Sequence, residues 1–166
     1  MKITLVANSS WYVFNFRSNL INKLKEKGHT VSVIAPKDDY SSRLKNLEIN
    51  YYEWSLSSSS TNIFKEFLSV LNLRSKLKKI NTDAILSFTP KGNIYSGIIH
   101  LILSKNIKFI PNISGLGIIM RHNFFLRKII FVFYKFALMN SNKIFFQNNE
   151  DMDLFIKNKV VKARDV

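Results

Sequence analysis

The sequence has no cysteine, only five glycines and three prolines among 166 residues, and no long apolar run. Without cysteine, the chain can hold no disulfide, no zinc–thiolate site, no iron–sulfur cluster and no thiol nucleophile. The longest apolar stretch, 129–139, is interrupted by Lys135 and is too short to predict a membrane-spanning helix. The run Ile3–Ala7 is too short for an export signal, since polar Asn8 follows it at once. We therefore expect a cytoplasmic protein that can touch a membrane without crossing it.

Carboxylates are also scarce. The 11 Asp and Glu residues stand against 25 Lys and Arg residues, and the net charge is +14. No carboxylate lies between Asp83 and Glu150, so this stretch offers neither an Asp-x-Asp pair for a metal nor a carboxylate general base. Its positive charge favours anionic ligands. The excess of 19 Lys over 6 Arg is also typical of low-GC codon usage, which is a second explanation for the charge.

Several common catalytic motifs are absent. Asn8–Val13, after the first predicted strand, has no glycine, so the dinucleotide-binding G-x-G-x-x-G pattern is missing there. The chain has neither a G-x-x-x-x-G-K-[ST] phosphate loop nor a G-x-S-x-G nucleophile elbow. Of the histidines, His29 falls in a predicted turn, His100 in an apolar helix typical of a core histidine, and His122 beside a basic–aromatic helix. These patterns assign no catalytic residue.

Short β-rich runs alternate with helix-length amphipathic runs along the whole chain. The predicted strands are Lys2–Ala7, Thr30–Ala35, Ile49–Trp54, Asp83–Phe88, Ile107–Ile113 and Lys143–Gln147. Helical spacing is found at Phe16–Leu24, Asn62–Lys79, Ile94–Leu103 and Asn123–Asn140, and from Asn149 onward. Six βα repeats with short loops predict an α/β fold: a doubly wound, mostly parallel six-stranded Rossmann-like sheet with helices on both faces.

The helix predicted at Asn62–Lys79 has apolar residues at helical spacing, which we expect on its buried face: Ile63, Phe67, Val70, Leu71 and Leu77.

Ligands of such sheets bind beyond the carboxyl ends of the strands, so the strand-to-helix loops are the places to search. The loops predicted here are Asn8–Phe14, Thr89–Asn93, Asn112–Gly117 and Gln147–Glu150. In the first loop, Asn8 and Ser9, ahead of Arg17, suit a sugar or phosphate at a helix N-terminus. An ordinary N-capped turn with a core tryptophan fits the same residues.

The second and third loops each have a functional and a structural interpretation. Lys91 would place a cation at the ligand edge, and Asn93 would lie near the N-cap of the next helix. Lys91 could equally be a solvated loop lysine. Ser114, Gly115 and Gly117 would let the backbone approach a ligand closely, or would form a purely structural turn.

The helix Asn123–Asn140 is apolar almost all round. Arg121, Lys128 and Lys135 recur every seven residues and form a narrow basic stripe, and Arg127 adds a further cation. Such a helix is deeply buried, lies in a lipid interface or contacts another domain, and the sequence leaves these three interpretations open.

The chain resembles the N-terminal domain of family 4 glycosyltransferases of the two-domain Rossmann type, especially bacterial enzymes that build glycans linked to undecaprenyl diphosphate. The likeness covers almost the whole chain and rests on five segments in order: Asn8–Arg17, Gly28–Val31 with Ile34–Pro36, Thr89–Gly97, Asn112–Gly117, and Phe145–Asn148 with Asp151.

The resemblance implies a retaining transfer of a hexose or N-acetylhexosamine from a nucleotide-sugar to a lipid-linked acceptor, without metal or cofactor. The resemblance further implies that this transfer serves capsule, O-antigen or exopolysaccharide synthesis at the inner face of the cell membrane. It implies that acceptor contacts come from these residues: Asn8, Ser9, Arg17, Lys91, Asn93, Ser114, Gly115 and Gly117. It also implies a membrane-facing surface that includes Arg121, Arg127, Lys128 and Lys135.

Two departures from the family pattern shape these expectations. The first loop lacks the paired glycines that many relatives have, and the sequence given ends at Val166, where the family's second domain begins. We therefore expect residues 1–166 to form the acceptor-side domain, inactive without a donor-binding domain or a separate donor-binding chain.

The alternative function is a basic nucleic-acid-binding α/β module. It is disfavoured because the aromatic residues lie in predicted strands and apolar helices.

Overall fold

The computed structural model describes residues 1–56, 63–103, 106–116 and 123–163. Its strands are β1 (Lys2–Val6), β2 (Thr30–Ala35), β3 (Asn50–Glu53), β4 (Ala84–Phe88), β5 (Lys108–Ile113) and β6 (Phe145–Phe146). Its helices are α1 (Ser10–Glu26), α2 (Ser41–Lys45), α3 (Ile63–Ile80), α4 (Pro90–Ile102), α5 (Phe124–Leu138) and α6 (Asn149–Lys157). The chain divides into two compact units, Met1–Leu86 and Ser87–Val166.

The strands form one six-stranded sheet in the order β3-β2-β1-β4-β5-β6. β1 and β2 are parallel, with Lys2 opposite Thr30 and Val6 opposite Ile34. β2 and β3 are also parallel, as are β5 and β6. This order, in which the chain steps from β1 to one edge and then resumes on the other side of β1, is that of the Rossmann fold. The predicted α/β fold with a parallel, Rossmann-like sheet is confirmed.

The inner strands are buried along nearly their whole length, because parallel sheets are covered on both faces. Ile3–Val6 of β1 and Val31–Ala35 of β2 are buried throughout. The edge strand β3 differs, since both of its end residues, Asn50 and Glu53, are exposed. The continuous apolar runs of the sequence are therefore the buried strands.

Two helices begin earlier than the sequence indicated. α1 begins at Ser10 and α4 at Pro90, so residues 10–14 and 90–93, which we expected in loops, are helical. The Ser9 side chain caps α1 by accepting a hydrogen bond from the Tyr12 amide. Proline is favoured at the first helical position because that residue needs no amide hydrogen bond. The short helix α2 was not predicted.

The buried face of α3 also differs from the prediction. Leu77 is buried as expected and Val70 is half-buried. In contrast, Ile63, Phe67 and Leu71 are 86%, 57% and 41% exposed, so their predicted burial is wrong. The buried positions are Ser69, Leu73, Leu77 and Ile80.

Polar contacts explain this orientation of α3. The indole Nε1 of buried Trp54 donates to the Ser69 carbonyl at 3.0 Å, and Ser69 Oγ donates to the Ser55 carbonyl at 2.7 Å. The Ser55 amide in turn donates to Asn72 Oδ1 at 3.2 Å. α3 has apolar residues on two faces, and these hydrogen bonds select the face that contains Ser69.

One face of α5 is buried in the second unit. Phe131 and Tyr134 pack against Phe155 of α6, with ring centroids 5.8 and 5.0 Å apart. Gly97 of α4 lies directly against the backbone of α5: a Cβ added there would be 2.7 Å from the carbonyl carbon of Ala137.

The other face of α5 is exposed and apolar. The large apolar side chains of α5 that are at least half exposed are Phe124, Phe125, Val132, Phe133 and Phe136. Burial, the first of the three interpretations of this helix, therefore holds for one face only.

Candidate functional site

The candidate residues of the first unit lie where β1 leads into α1. Asn8 and Ser9 are half-buried in this turn. The first-turn amides of α1 are already engaged: Tyr12 N donates to Ser9 Oγ at 3.1 Å, and Trp11 N donates to the carboxylate of Asp38 at 2.9 Å. A carboxylate at this helix end disfavours a bound phosphate, because the two are both negatively charged.

A cluster of hydroxyl groups holds this turn in place. Ser10 Oγ donates to the Pro36 carbonyl at 2.7 Å and lies 3.2 Å from Tyr51 Oη, which donates to the Ala35 carbonyl at 2.9 Å. Ser41 Oγ donates to Ser10 Oγ at 3.2 Å. These contacts join the start of α1 to the carboxyl end of β2, so the conformation of the turn is fixed by the protein itself.

The side chain of Arg17 is held by a neighbouring residue of α1, whereas that of Trp11 is exposed to solvent. The Arg17 guanidinium donates to Tyr12 Oη at 2.6 Å and lies 5.3 Å from the centre of that ring, so it is held along its own helix. Trp11 is 46% exposed and meets Phe16 edge-on at 5.5 Å. The alternative of a core tryptophan is therefore wrong, and α1 presents aromatic rings to solvent.

In the second unit, the turn from β4 into α4 has unusual backbone geometry. Thr89, the N-cap residue of α4, has φ 67° and ψ 152°, in a region that favours glycine. For a β-branched residue this conformation stores about 1–3 kcal/mol of strain, and such strain clusters at functional sites. Lys91 follows in the first turn of α4, half-buried, where no residue is acidic.

Asn93 is buried and serves the packing of this turn. It is 1% exposed; its Oδ1 accepts from Ser87 Oγ at 2.7 Å and its Nδ2 donates to the Asn112 carbonyl at 3.0 Å. It also hydrogen-bonds the Tyr134 hydroxyl, whose pKa is raised above its ordinary value mainly by burial. The structure thus makes Asn93 a positioning residue that ties α4 to β5 and α5, and not a side chain open to a ligand.

The segment after β5 is also fixed. Gly115 is exposed with φ 71°, and the next amide, of Leu116, points to both carboxylate oxygens of Asp151 at 3.3 Å. Asn148 binds Asp151 twice: its Nδ2 donates to the carboxylate at 3.0 Å, and its Oδ1 caps α6 by accepting from the Asp151 amide at 2.7 Å. Ser114 is half-buried beside Gly115, and Gly117 lies outside the described residues.

The basic residues assigned to the membrane surface are all on α5 where they are described. Arg127 is half-buried, whereas Lys128 and Lys135 are exposed at the margin of the apolar face. Arg127 and Lys128 both lie over the ring of Phe124, at 5.9 and 4.5 Å from its centre. Arg121 lies outside the described residues.

Sequence reasoning missed Asp38, Tyr51 and Tyr134 as residues that shape these turns, and it named Asp151 only as part of the family resemblance. Asp151 carried a usable signal, because Asn148-x-x-Asp151 is a helix N-cap with an acidic residue in the first turn. Asp38, Tyr51 and Tyr134 come from segments distant in sequence from their partners, so no local pattern marks them.

His100 is a core histidine, as predicted. Its Nε2 donates to the Ile107 carbonyl at 2.8 Å, and its ring stacks on Phe109 at 5.3 Å. His122 lies outside the described residues.

Within the described ranges, no helix is long and apolar enough to cross a bilayer, and no three His, Asp or Glu side chains cluster as metal ligands would.

Comparison with known proteins adds a family match. The family described as glycosyl transferase 4-like matches residues 2–148. A protein of Campylobacter jejuni subsp. jejuni, named N,N'-diacetylbacillosaminyl-diphospho-undecaprenol alpha-1,3-N-acetylgalactosaminyltransferase, is 26% identical over 170 residues. That match covers 100% of this chain and 45% of the relative, so the chain spans about half the length of this curated relative.

Solved structures share the fold at low sequence identity. The lipopolysaccharide outer core galactosyltransferase WaaB in its apo form is 15% identical with a TM-score of 0.67, over 99% of this chain and 44% of that chain. A UDP-N-acetylglucosamine 2-epimerase is 14% identical, also with a TM-score of 0.67, over 99% of this chain and 46% of that chain. A transferase and an epimerase fit equally well, so the fold alone does not determine the reaction.

Proposed function

The chain belongs to the glycosyl transferase 4-like family, and from this premise we propose that it is the acceptor-side part of a glycosyltransferase. In this proposal a hexose or N-acetylhexosamine passes from a nucleotide-sugar to a glycan on undecaprenyl diphosphate, in capsule, O-antigen or exopolysaccharide synthesis. The observation that carries the proposal is the match, along the whole chain, to a protein whose name specifies N-acetylgalactosamine transfer to a diphospho-undecaprenol substrate. Retention of the anomeric configuration stays a prediction.

We propose that the nucleotide-sugar binds outside these 166 residues, in a further part of the same protein or in a partner chain. The β1–α1 turn supports this placement, because it has no glycine and its first helical amides are engaged by Ser9 and Asp38. A diphosphate would have to displace the Asp38 carboxylate to reach them.

In the second unit, we propose that Lys91 binds a phosphate of the lipid diphosphate. Lys91 lies in the first turn of α4, where the helix dipole also favours an anion, and the stretch 84–149 around it has no carboxylate. The strained N-cap at Thr89 and the buried amide of Asn93 fix this turn before a ligand binds. Ser114 and Gly115 would supply close backbone contacts with the same acceptor.

In the first unit, we propose that Asn8 and Ser9 bind sugar hydroxyl groups rather than phosphate. The neighbouring Asp38 carboxylate accepts hydrogen bonds and repels anions, which suits a neutral sugar. Arg17, held by Tyr12, would have a supporting role only.

We also propose that α5 rests on the cytoplasmic face of the cell membrane. Its exposed apolar face and the adjacent Lys128 and Lys135 form the pattern of an interfacial helix. An acceptor anchored in lipid requires its enzyme to work at that surface, which supports this contact.

Substitution of Lys91 tests the proposed acceptor site. Lys91→Gln should weaken binding of a water-soluble, short-chain polyprenyl-diphosphate-linked sugar at least tenfold, since hydrogen bonds to charged groups contribute about 1.5–3 kcal/mol. Lys143→Gln removes an exposed cation from the same carboxylate-free stretch and should change the affinity less than twofold. Isothermal titration calorimetry measures both. Equal losses in the two variants, or no loss at Lys91, would contradict the assignment.

A further inference from the structure

A shallow pocket of about 330 Å³ lies between the start of α5 and the end of α6. Its apolar lining consists of Phe124, Phe131 and Leu154, and its cations are Arg127, Lys128 and Lys157. Asn158 completes the lining, with its Nδ2 donating to the Leu154 carbonyl at 2.8 Å. The volume is in the range of pockets that bind small ligands.

The charged residues that line this pocket are all cations. Among the described residues that line it none is acidic, and two of its three cations share the ring of Phe124. Cations beside apolar side chains complement a ligand with one anionic group and an adjoining hydrocarbon part.

The pocket continues into the exposed apolar face of α5. Phe124, Lys128 and Phe131 line the pocket and lie at i, i+4 and i+7, and Lys135 extends that row by one turn. Phe125, Val132 and Phe136 lie on the adjoining exposed face. A membrane that contacts this face would therefore bring lipid headgroups to the mouth of the pocket.

We propose that this pocket binds the phosphate headgroup of an anionic phospholipid, with the first part of an acyl chain against Phe124 and Leu154. The inference rests on the membrane contact proposed above and names the lipid class that this contact selects. Its function would be to fix the orientation of α5 on the membrane, separately from acceptor binding.

A titration with monomeric short-chain (dihexanoyl) phosphatidylglycerol tests the pocket. Amide chemical shifts in NMR spectra should change saturably at Phe124, Arg127, Leu154 and Lys157. Dihexanoyl phosphatidylcholine and inorganic phosphate should bind at least tenfold more weakly. Shift changes centred elsewhere, or equal binding of phosphatidylcholine, would overturn the proposal. Equal binding of phosphate alone would do so too, because the site would then recognise an anion and not a lipid.

Two double variants separate the pocket from the overall charge. Arg127→Gln/Lys157→Gln should weaken phosphatidylglycerol binding about 25-fold, taking about fivefold for each cation, which is the contribution of one Lys or Arg near an anionic lipid surface. The control Lys108→Gln/Lys143→Gln removes two exposed cations outside the pocket and should change the affinity less than twofold. If both double variants lost the same affinity for phosphatidylglycerol, net charge alone would explain the binding and the proposed pocket would be wrong.

The water-soluble acceptor analogue distinguishes this inference from the proposed function. The pocket variant should bind the diphosphate-linked sugar as tightly as the unmodified chain does. If it loses that ligand as well, the pocket is part of the acceptor site and the phospholipid assignment is wrong. If the unmodified chain binds phosphatidylglycerol but no acceptor, the proposed function fails while the lipid pocket stands.

Discussion

At the residue scale, a few buried polar side chains fix the turns that carry the candidate site. Asp151 is the clearest, because its carboxylate accepts from the Leu116 amide and from Asn148 while it lies in the first turn of α6. The glycine-containing segment after β5 therefore owes its conformation to an acid 35 residues further along the chain.

Removing this carboxylate should release the segment. We expect Asp151→Ala to lower the free energy of unfolding by about 1–3 kcal/mol, because the buried Leu116 amide loses its acceptor. Hydrogen exchange at the Leu116 amide should become at least tenfold faster. Asp153→Ala removes an exposed acid of the same helix and should change stability by less than about 0.5 kcal/mol. An unchanged exchange rate in Asp151→Ala would show that the segment is held in another way.

Because Tyr134 is buried, we expect the free energy of unfolding to depend on pH in the alkaline range. Burial raises the pKa of its hydroxyl in the folded protein, whereas an unfolded tyrosine ionises near pH 10. Above that pH the unfolded state releases a proton that the folded state keeps, so the free energy of unfolding falls as pH rises. Tyr134→Phe should make that decline shallower by up to about 1.4 kcal/mol per pH unit. Urea unfolding between about pH 9 and 11 measures it, and identical slopes in both proteins would refute the explanation.

The sequence predicted which turns to search better than it predicted what their side chains do. Asn8, Ser9, Lys91 and Ser114 lie in or directly after turns that follow the carboxyl ends of strands, because the strand pattern located those ends. Asn93 was chosen for its place near an N-cap, yet it is buried among Ser87, Asn112 and Tyr134. Burial of that kind depends on partners from three other elements, which no local pattern contains.

At the element scale, the packing of α4 on α5 depends on one glycine. Gly97 leaves no room for a side chain, since a Cβ would lie 2.8 Å from the Cα of Ala137. The close approach lets Tyr134 of α5 reach Asn93 of α4, so the contact between the helices also supports the turn at Thr89.

Gly97→Ala should therefore force the two helices apart. We expect the free energy of unfolding to fall by about 1–3 kcal/mol or more, as in overpacked cores. Gly28→Ala is the control: its Cβ would meet no atom within 4 Å, so it should cost only the strain of its positive φ, about 1–2 kcal/mol. Near-ultraviolet circular dichroism should change in Gly97→Ala alone, through Tyr134 and Phe131. A Gly97→Ala protein with unaltered stability and spectrum would contradict the described packing.

Hydrophobic patterns predicted the positions of the strands but not the orientation of every helix. Strand positions followed from continuous apolar runs, because a parallel sheet buries both faces of its inner strands. The buried face of α3 could not be predicted in this way, because apolar residues occupy two of its faces and polar Ser69 lies on the buried one. Its orientation is decided by hydrogen bonds to Trp54 and Ser55, and a hydrophobic pattern has no information about them.

At the scale of the whole molecule, the charge is distributed in a way that matches the proposed substrate. The net charge is +14, and the stretch 84–149 contributes cations but no carboxylate. The diphosphate of a lipid-linked acceptor would offer anionic groups to Lys91, and the membrane that holds its lipid tail would offer an apolar surface to α5. The family match and this charge pattern support the proposed account, in which the chain contributes the acceptor side of a glycosyl transfer.

The most direct test of this account is a paired calorimetric titration of the purified chain. One titration uses a water-soluble polyprenyl-diphosphate-linked sugar, and the other uses a panel of nucleotide-sugars. The account predicts saturable binding of the lipid-diphosphate sugar and no measurable binding of any nucleotide-sugar. Binding of a nucleotide-sugar without binding of the acceptor would contradict it, because the chain would then be the donor side of the enzyme.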